Sequence, residues 1–165
     1  MASKKEPAAK RLSGGCQCGA VRYSIPVPKE GVHLCHCRMC QKAVGNVFAA
    51  LAPVPMKTVK WTRGKPKYFR SSSEVDRGFC PKCGTPLTFR YRDGQRLNLT
   101  IGSLDDPNAV KPKMHYGTES WVRWLRLKDG LPHEDTNMTA LKKRFPRFTS
   151  HQHPDHDTRR WPAKR

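Results

Sequence analysis

The chain has 165 residues, 36% of them hydrophobic, with 12 glycines, 14 prolines and a formal net charge of +19. That length allows one domain with room for tails, and no apolar run is long enough for a helical membrane span, so no membrane partner is expected. Seven cysteines, an odd number, suit metal ligation in a reducing compartment better than a disulfide framework.

Charge is concentrated at the ends. Residues 1–11 carry four Lys/Arg against one Glu and residues 141–165 eight against two Asp, so the tails supply +9 and the middle +10. Such a balance fits anionic partners, from small carboxylates to nucleic acid, and equally a solvated surface with frayed ends. Residues 1–12 read as a disordered basic arm. They lack the apolar segment of a signal peptide, which points to the cytoplasm. In a eukaryote Lys4-Lys5 and Lys10-Arg11 could also act as a nuclear address.

Gly14 to Gly19 is a tight turn carrying Cys16 and Cys18, and Ala20 to Ile25 alternates like a strand stopped by Pro26 and Pro28. Three thiols then crowd into Cys35-His36-Cys37-Arg38-Met39-Cys40. An apolar stretch of strand length follows at Asn46 to Ala52, with Pro53 and Pro55 expected to end it. Val59 to Trp61 and Lys67 to Arg70 are short strand candidates either side of a turn at Gly64. Val75 to Phe79 leads into a knuckle, Cys80-Pro81-Lys82-Cys83-Gly84. Pro86 to Arg92 alternates, Asp93-Gly94 is a hairpin signal, and Leu97 to Ile101 is the partner strand. Trp121 to Leu127 is expected to be the last strand, with Trp121 and Trp124 in the core. A short helix is predicted over Thr136–Arg144, ended by Pro146. The tract from His151 to Asp157 resembles a metal-binding segment but reads better as a solvated tail. The expected fold class is mainly β, one small domain stapled by metal.

Free thiolates as close as Cys35, Cys37 and Cys40 repel one another, and a soft divalent cation relieves that by taking them as ligands. Three protein ligands leave one tetrahedral position of zinc open, the arrangement of a catalytic site. The other four cysteines suffice for a closed, structural site. Spacing does not force this partition, since Cys80 and Cys83 could instead complete a site with two of the middle thiols. One or two purely structural zincs remain an alternative.

Four ordered motifs carry a resemblance. They are Gly-Gly-Cys-x-Cys-Gly-x-Val-Arg-Tyr at 14–23, Cys-His-Cys-x-x-Cys-x-Lys at 35–42, Phe-Cys-x-x-Cys-Gly-Thr at 79–85 and Gly-Ser-Leu-Asp-Asp-Pro at 102–107. His115 and Trp124 follow them. Over residues 13–132 the chain resembles the glutathione-dependent formaldehyde-activating enzymes, a family that includes vertebrate centromere protein V. The resemblance implies a β-tent of small antiparallel sheets around two zincs. It implies that Cys16, Cys18, Cys80 and Cys83 hold structural zinc and Cys35, Cys37 and Cys40 catalytic zinc. It also implies carbon–sulfur lyase chemistry, the reversible joining of glutathione and formaldehyde to S-hydroxymethylglutathione. His36 and His115 are then candidates for proton transfer or substrate contact, and Arg38 and Lys42 for the substrate's carboxylates. Asp105 and Asp106 are expected to fix a turn. Residues 133–165 fall outside the resemblance as a basic C-terminal extension. The competing reading is a zinc-stapled nucleic-acid or chromatin-binding module that uses the basic tails.

Overall fold

The computed structural model describes residues 10–149; the His-rich tract and most of both basic tails lie outside them. In chain order the regular elements are β1 (Arg11–Gly15), β2 (Arg22–Pro26), β3 (His33–Cys35), α1 (Arg38–Val44), β4 (Ala49–Pro55), β5 (Lys60–Arg63), β6 (Lys67–Arg70), β7 (Val75–Phe79), β8 (Pro86–Tyr91), β9 (Arg96–Thr100), β10 (His115–Tyr116), β11 (His133–Glu134) and α2 (Met138–Arg144). They form a small open sheet, β1-β2-β5, and a larger one ordered β11-β10-β3-β4-β9-β8-β7-β6. No helix among the described residues is long and apolar enough to cross a membrane.

The two sheets lean together like the sides of a tent. Alternation in β2 turns Tyr23 and Ile25 inward, where they meet Val54, Leu87, Leu97 and Leu99 of the larger sheet in one buried cluster. Ser103 donates to the Thr100 carbonyl at 2.8 Å, so it receives the Tyr23 hydroxyl proton across a 2.6 Å bond. Asp105 ties the sheets at their rim, accepting from both Arg22 guanidinium nitrogens and from the Ser13 hydroxyl. Gly14 bridges to Leu104. A Cβ there would sit 2.5 Å from the Ser103 carbonyl oxygen, so only glycine lets the sheets approach this closely.

Several sequence expectations change. β4 does not stop at Pro53; it continues to Pro55, with Pro53 opposite Asn98 of β9. On its other side β3 covers only Ala49 to Leu51, so the prolines fall where β4 has no neighbour and their missing N–H breaks no ladder. Arg11 and Leu12, read as part of a loose arm, pair with Pro26 and Ile25. The Arg11 guanidinium fixes them by donating to the Ser24 and Thr58 carbonyls. β5 and β6 flank Gly64 but belong to different sheets. Trp121 to Leu127 is irregular, with a single turn at Arg123 and Trp124, rather than a strand, and the place beside β10 is taken by β11. Trp124 is 72% exposed and plays no part in the core.

Leu99 is wholly buried in β9 and pairs with Ala52 and Thr88 on either side. Leu99→Ala should cost about 3 kcal/mol of unfolding free energy, read as a shift in denaturant midpoint at constant slope.

Candidate metal centres and active site

Two turns bring four thiols together. Cys16 and Cys18 lie just after β1, Cys80 and Cys83 just after β7, and all four sulfurs lie within 4.8 Å of one another. Cys16 Sγ is 3.5 Å from Cys18 Sγ, which is 3.8 Å from Cys80 Sγ. Zinc holds sulfurs at about 2.3 Å, which places tetrahedral ligands roughly 3.8 Å apart, so the cluster fits the ion. Amides aim at it as they would at thiolates: Val21 N–H donates to Cys16 and Lys82 N–H to Cys80. With a metal ion held, four thiolates would close the site and pin the small sheet to the larger one.

The second cluster is built differently. Cys35 ends β3, Cys37 caps α1 by accepting from the Cys40 amide at 3.4 Å, and Cys40 sits one turn in. Their sulfurs also lie within 4.8 Å of one another, and no fourth His, Cys, Asp or Glu joins them among the described residues. An all-thiolate set favours zinc over hard cations, and the spacing admits it. Hydrogen bonds from Cys35 and Cys37, then the charge of Arg77, hold the Cys40 thiol well below its usual range. Cys35 is pushed up in turn, chiefly by the same bonds to Cys37 and Cys40 and by burial. The Arg77 guanidinium reaches Cys40 Sγ at 3.5 Å, braced by a bond to the Ser71 hydroxyl and by the Phe89 ring 5.1 Å below it. Gly117, at φ +67°, passes so close that a Cβ would lie 2.7 Å from the Cys37 nitrogen.

The ligand turn is anchored from behind by a buried aromatic stack. His36 is fully buried, stacked on Trp121 at 4.0 Å, with its Nε2 2.9 Å from His115 Nδ1. His115 Nε2 in turn lies 3.0 Å from the Asp129 carboxylate. A carboxylate only accepts, so His115 donates to Asp129 and accepts from His36, leaving His36 Nδ1 as a buried lone pair without a protein partner among the described residues. Burial first, then the neighbouring His115, pushes His36 down to about 4. Gln41 ties the same turn to the loop before Trp121, donating to the His36 and Ser120 carbonyls.

Cys35, Cys37 and Cys40 open on a cavity of about 610 Å³. The positions read from the sequence as substrate contacts lie elsewhere. His36 and His115 belong to the buried stack, Arg38 donates to the Gln41 side chain, and Lys42 lines an adjoining cavity of about 440 Å³ that shares Arg77 and Phe89 with the thiols' cavity. The sequence reading missed the groups that share the thiols' cavity, namely His33, Arg77, Tyr91, Tyr116, Glu134 and Arg144. A strand's two-residue period was available as a signal for His33, since it places that ring on the same face of β3 as Cys35. The Asp105 and Asp106 expectation divides: Asp106 caps a turn through the Asn108 amide, whereas Asp105 joins Arg22 and Ser13.

A mainly β fold with a four-thiol and a three-thiol cluster, each able to hold a metal ion, defines the class of protein. The family described as glutathione-dependent formaldehyde-activating enzyme matches residues 11–122, more than half of the chain, and the protein belongs to it. It is similar to an uncharacterized lyase of Schizosaccharomyces pombe, 32% identical over 82 residues, which is 50% of this chain and 59% of the relative. A crystal structure of a Rhodobacter sphaeroides protein is similar at 20% identity and a TM-score of 0.49, covering 74% of this chain and 99% of that one.

Purified protein should contain two zinc ions per chain, falling to about one in Cys35→Ser with the fold retained. Unfolding of the variant would instead make the three-thiol cluster structural. A pH dependence follows from His36. The unfolded chain protonates it near 6.5 and the folded chain only near 4, so stability present above about 6.5 is lost as pH falls towards 4. His36→Gln should flatten that slope in denaturant titrations; an equal slope in both proteins would remove His36 as its cause.

Proposed function

We propose that the protein is a zinc-dependent carbon–sulfur lyase that forms and cleaves aldehyde adducts of glutathione or a similar thiol, S-hydroxymethylglutathione being the simplest. The observation that carries this reading is the three-thiol cluster with no fourth protein ligand among the described residues, opening on a cavity large enough for a small peptide thiol. Zinc held by Cys35, Cys37 and Cys40 would act as a Lewis acid towards the substrate's sulfur and favour its thiolate form near neutral pH. Family membership and a relative named as a lyase support the same class of reaction.

The chain's own residues account for the remaining work. In cleavage the adduct's hydroxyl proton leaves, its C–O bond becomes a carbonyl, and the C–S electron pair returns to sulfur. His33 Nδ1 bonds the Gly31 carbonyl at 2.7 Å and therefore carries the proton, so Nε2 is the lone pair that can receive the hydroxyl's. Tyr116 lines the same cavity, and burial raises its phenol above the usual range, so it stays a donor for the aldehyde oxygen. Arg77 places a fixed positive charge beside Cys40, offsetting the negative charge that three thiolates and a substrate sulfur gather there. Joining runs through the same groups in reverse.

The alternative, nucleic-acid binding through the basic tails, falls largely outside the described residues, and nothing in the folded part favours it over the lyase reading.

A coupled assay should detect saturable turnover when glutathione and formaldehyde, or their adduct, are offered. His33→Gln should lower kcat about 100-fold and Tyr116→Phe by less, with zinc content unchanged in both. No turnover by the wild-type protein across a panel of aldehyde adducts would sink the reading.

A further inference from the structure

The family match stops at residue 122, yet the cavity over the thiols is not complete there. Its floor is Cys35, Cys37 and Cys40; its opposite wall is Ala140, Leu141 and Arg144 of α2. This wall belongs to a strap that crosses the site and is fastened at both ends. At one end β11 pairs with β10, the Thr118 hydroxyl donates to Asp135, and Thr136 N–H donates to Glu119. At the other, Phe145 is buried against the Tyr91 ring at 5.5 Å, and Thr149 exchanges hydrogen bonds with Ser73. Asn137 caps the helix between them through the Ala140 amide.

Arg144 is the strap's cation on the cavity. Its guanidinium lies over the Tyr91 and Phe145 rings, 4.9 and 4.6 Å from their centroids, which holds the charge at the cavity edge. Its ionic partner, Asp93, is 3.6 Å away and both side chains are about half exposed, so the pair is weak and screened, and a ligand anion can displace it. Arg77, the other arginine lining the cavity, is engaged with Cys40 and Ser71. Arg144 is therefore the cation placed to meet the far end of a molecule whose sulfur sits at the thiols.

We propose that residues 133–149 form the specificity-determining roof of the site, and that Arg144 selects a thiol carrying a carboxylate over an uncharged thiol of similar shape. The inference rests on the lyase reading for its choice of thiol, but its test does not depend on turnover. Isothermal titration of the zinc-containing protein compares glutathione with glutathione diethyl ester, in which both carboxylates are masked. The wild type should bind glutathione about tenfold more tightly than the diester. Arg144→Ala should remove that preference by weakening glutathione alone, and Arg144→Lys should keep part of it. The side chain is 55% exposed, so folding is not at stake in either variant. Equal binding of the two ligands by the wild type, binding of neither, or a preference that survives Arg144→Ala overturns the proposal. A preference that behaves as expected in a protein without lyase turnover would sink the lyase reading and leave the roof standing.

Discussion

Negative charge at Cys35, Cys37 and Cys40 is the constraint on which the rest of the site depends. Three thiolates whose sulfurs lie within 4.8 Å repel one another, and burial strengthens the repulsion by excluding water. Without a cation one thiolate, Cys40, is stabilised at the expense of Cys35. With zinc all three can ionise and the turn becomes rigid. Everything packed around the turn opposes its relaxation: Gly117 against the Cys37 backbone, Gln41 across two carbonyls, and the His36–His115–Asp129 chain behind. Because His36 lies between two ligands in sequence, its hydrogen bond fixes both of them at once. That arrangement is a positioning device, and it explains why an imidazole so near the metal ligands is kept away from the cavity.

The four-thiol cluster solves a different problem. The domain is short of apolar residues and its two sheets share one modest core, so a metal ion held at the seam would replace burial that the sequence cannot supply. Its ligands come from turns some sixty residues apart, the longest sequence separation that any of the metal clusters bridges. The Tyr23–Ser103 bond and the Asp105 network reinforce the same seam with hydrogen bonds. Core, metal and polar rim thus act on one joint.

What the sequence revealed was local or repeated as a motif. Cysteine spacing pointed to metal ligation and the family resemblance supplied the division into two clusters, alternation identified β2 and β8, and Asp93-Gly94 identified the β8–β9 hairpin. The prolines in β4 misled because proline forbids a donor, not a strand, and whether a donor is needed depends on a neighbour that only the fold supplies. Trp121 to Leu127 misled for the reverse reason: a good strand pattern has no ladder partner in the fold, where β11 pairs with β10 instead. Substrate contacts were the least legible. Proximity in sequence pointed to Arg38 and Lys42, on the helix that carries Cys40. A helix turns its side chains through about 100° per residue, so neighbours of a ligand face away from it. Groups that share the thiols' cavity come from β3, β7, β8, β10, β11 and α2, and apart from the two-residue period that joins His33 to Cys35 no spacing rule connects them.

This separation divides the chain into a part that sets chemistry and a part that sets choice. The thiol floor, Arg77 and the buried histidine chain come mostly from the stretch that the family model matches. The α2 residues that line the same cavity come from beyond that stretch. Residues of α2 can therefore change without disturbing a metal ligand, whereas a change at Gly117 or Gln41 reaches the thiols directly. A floor held under electrostatic constraint and a wall free of it can vary independently.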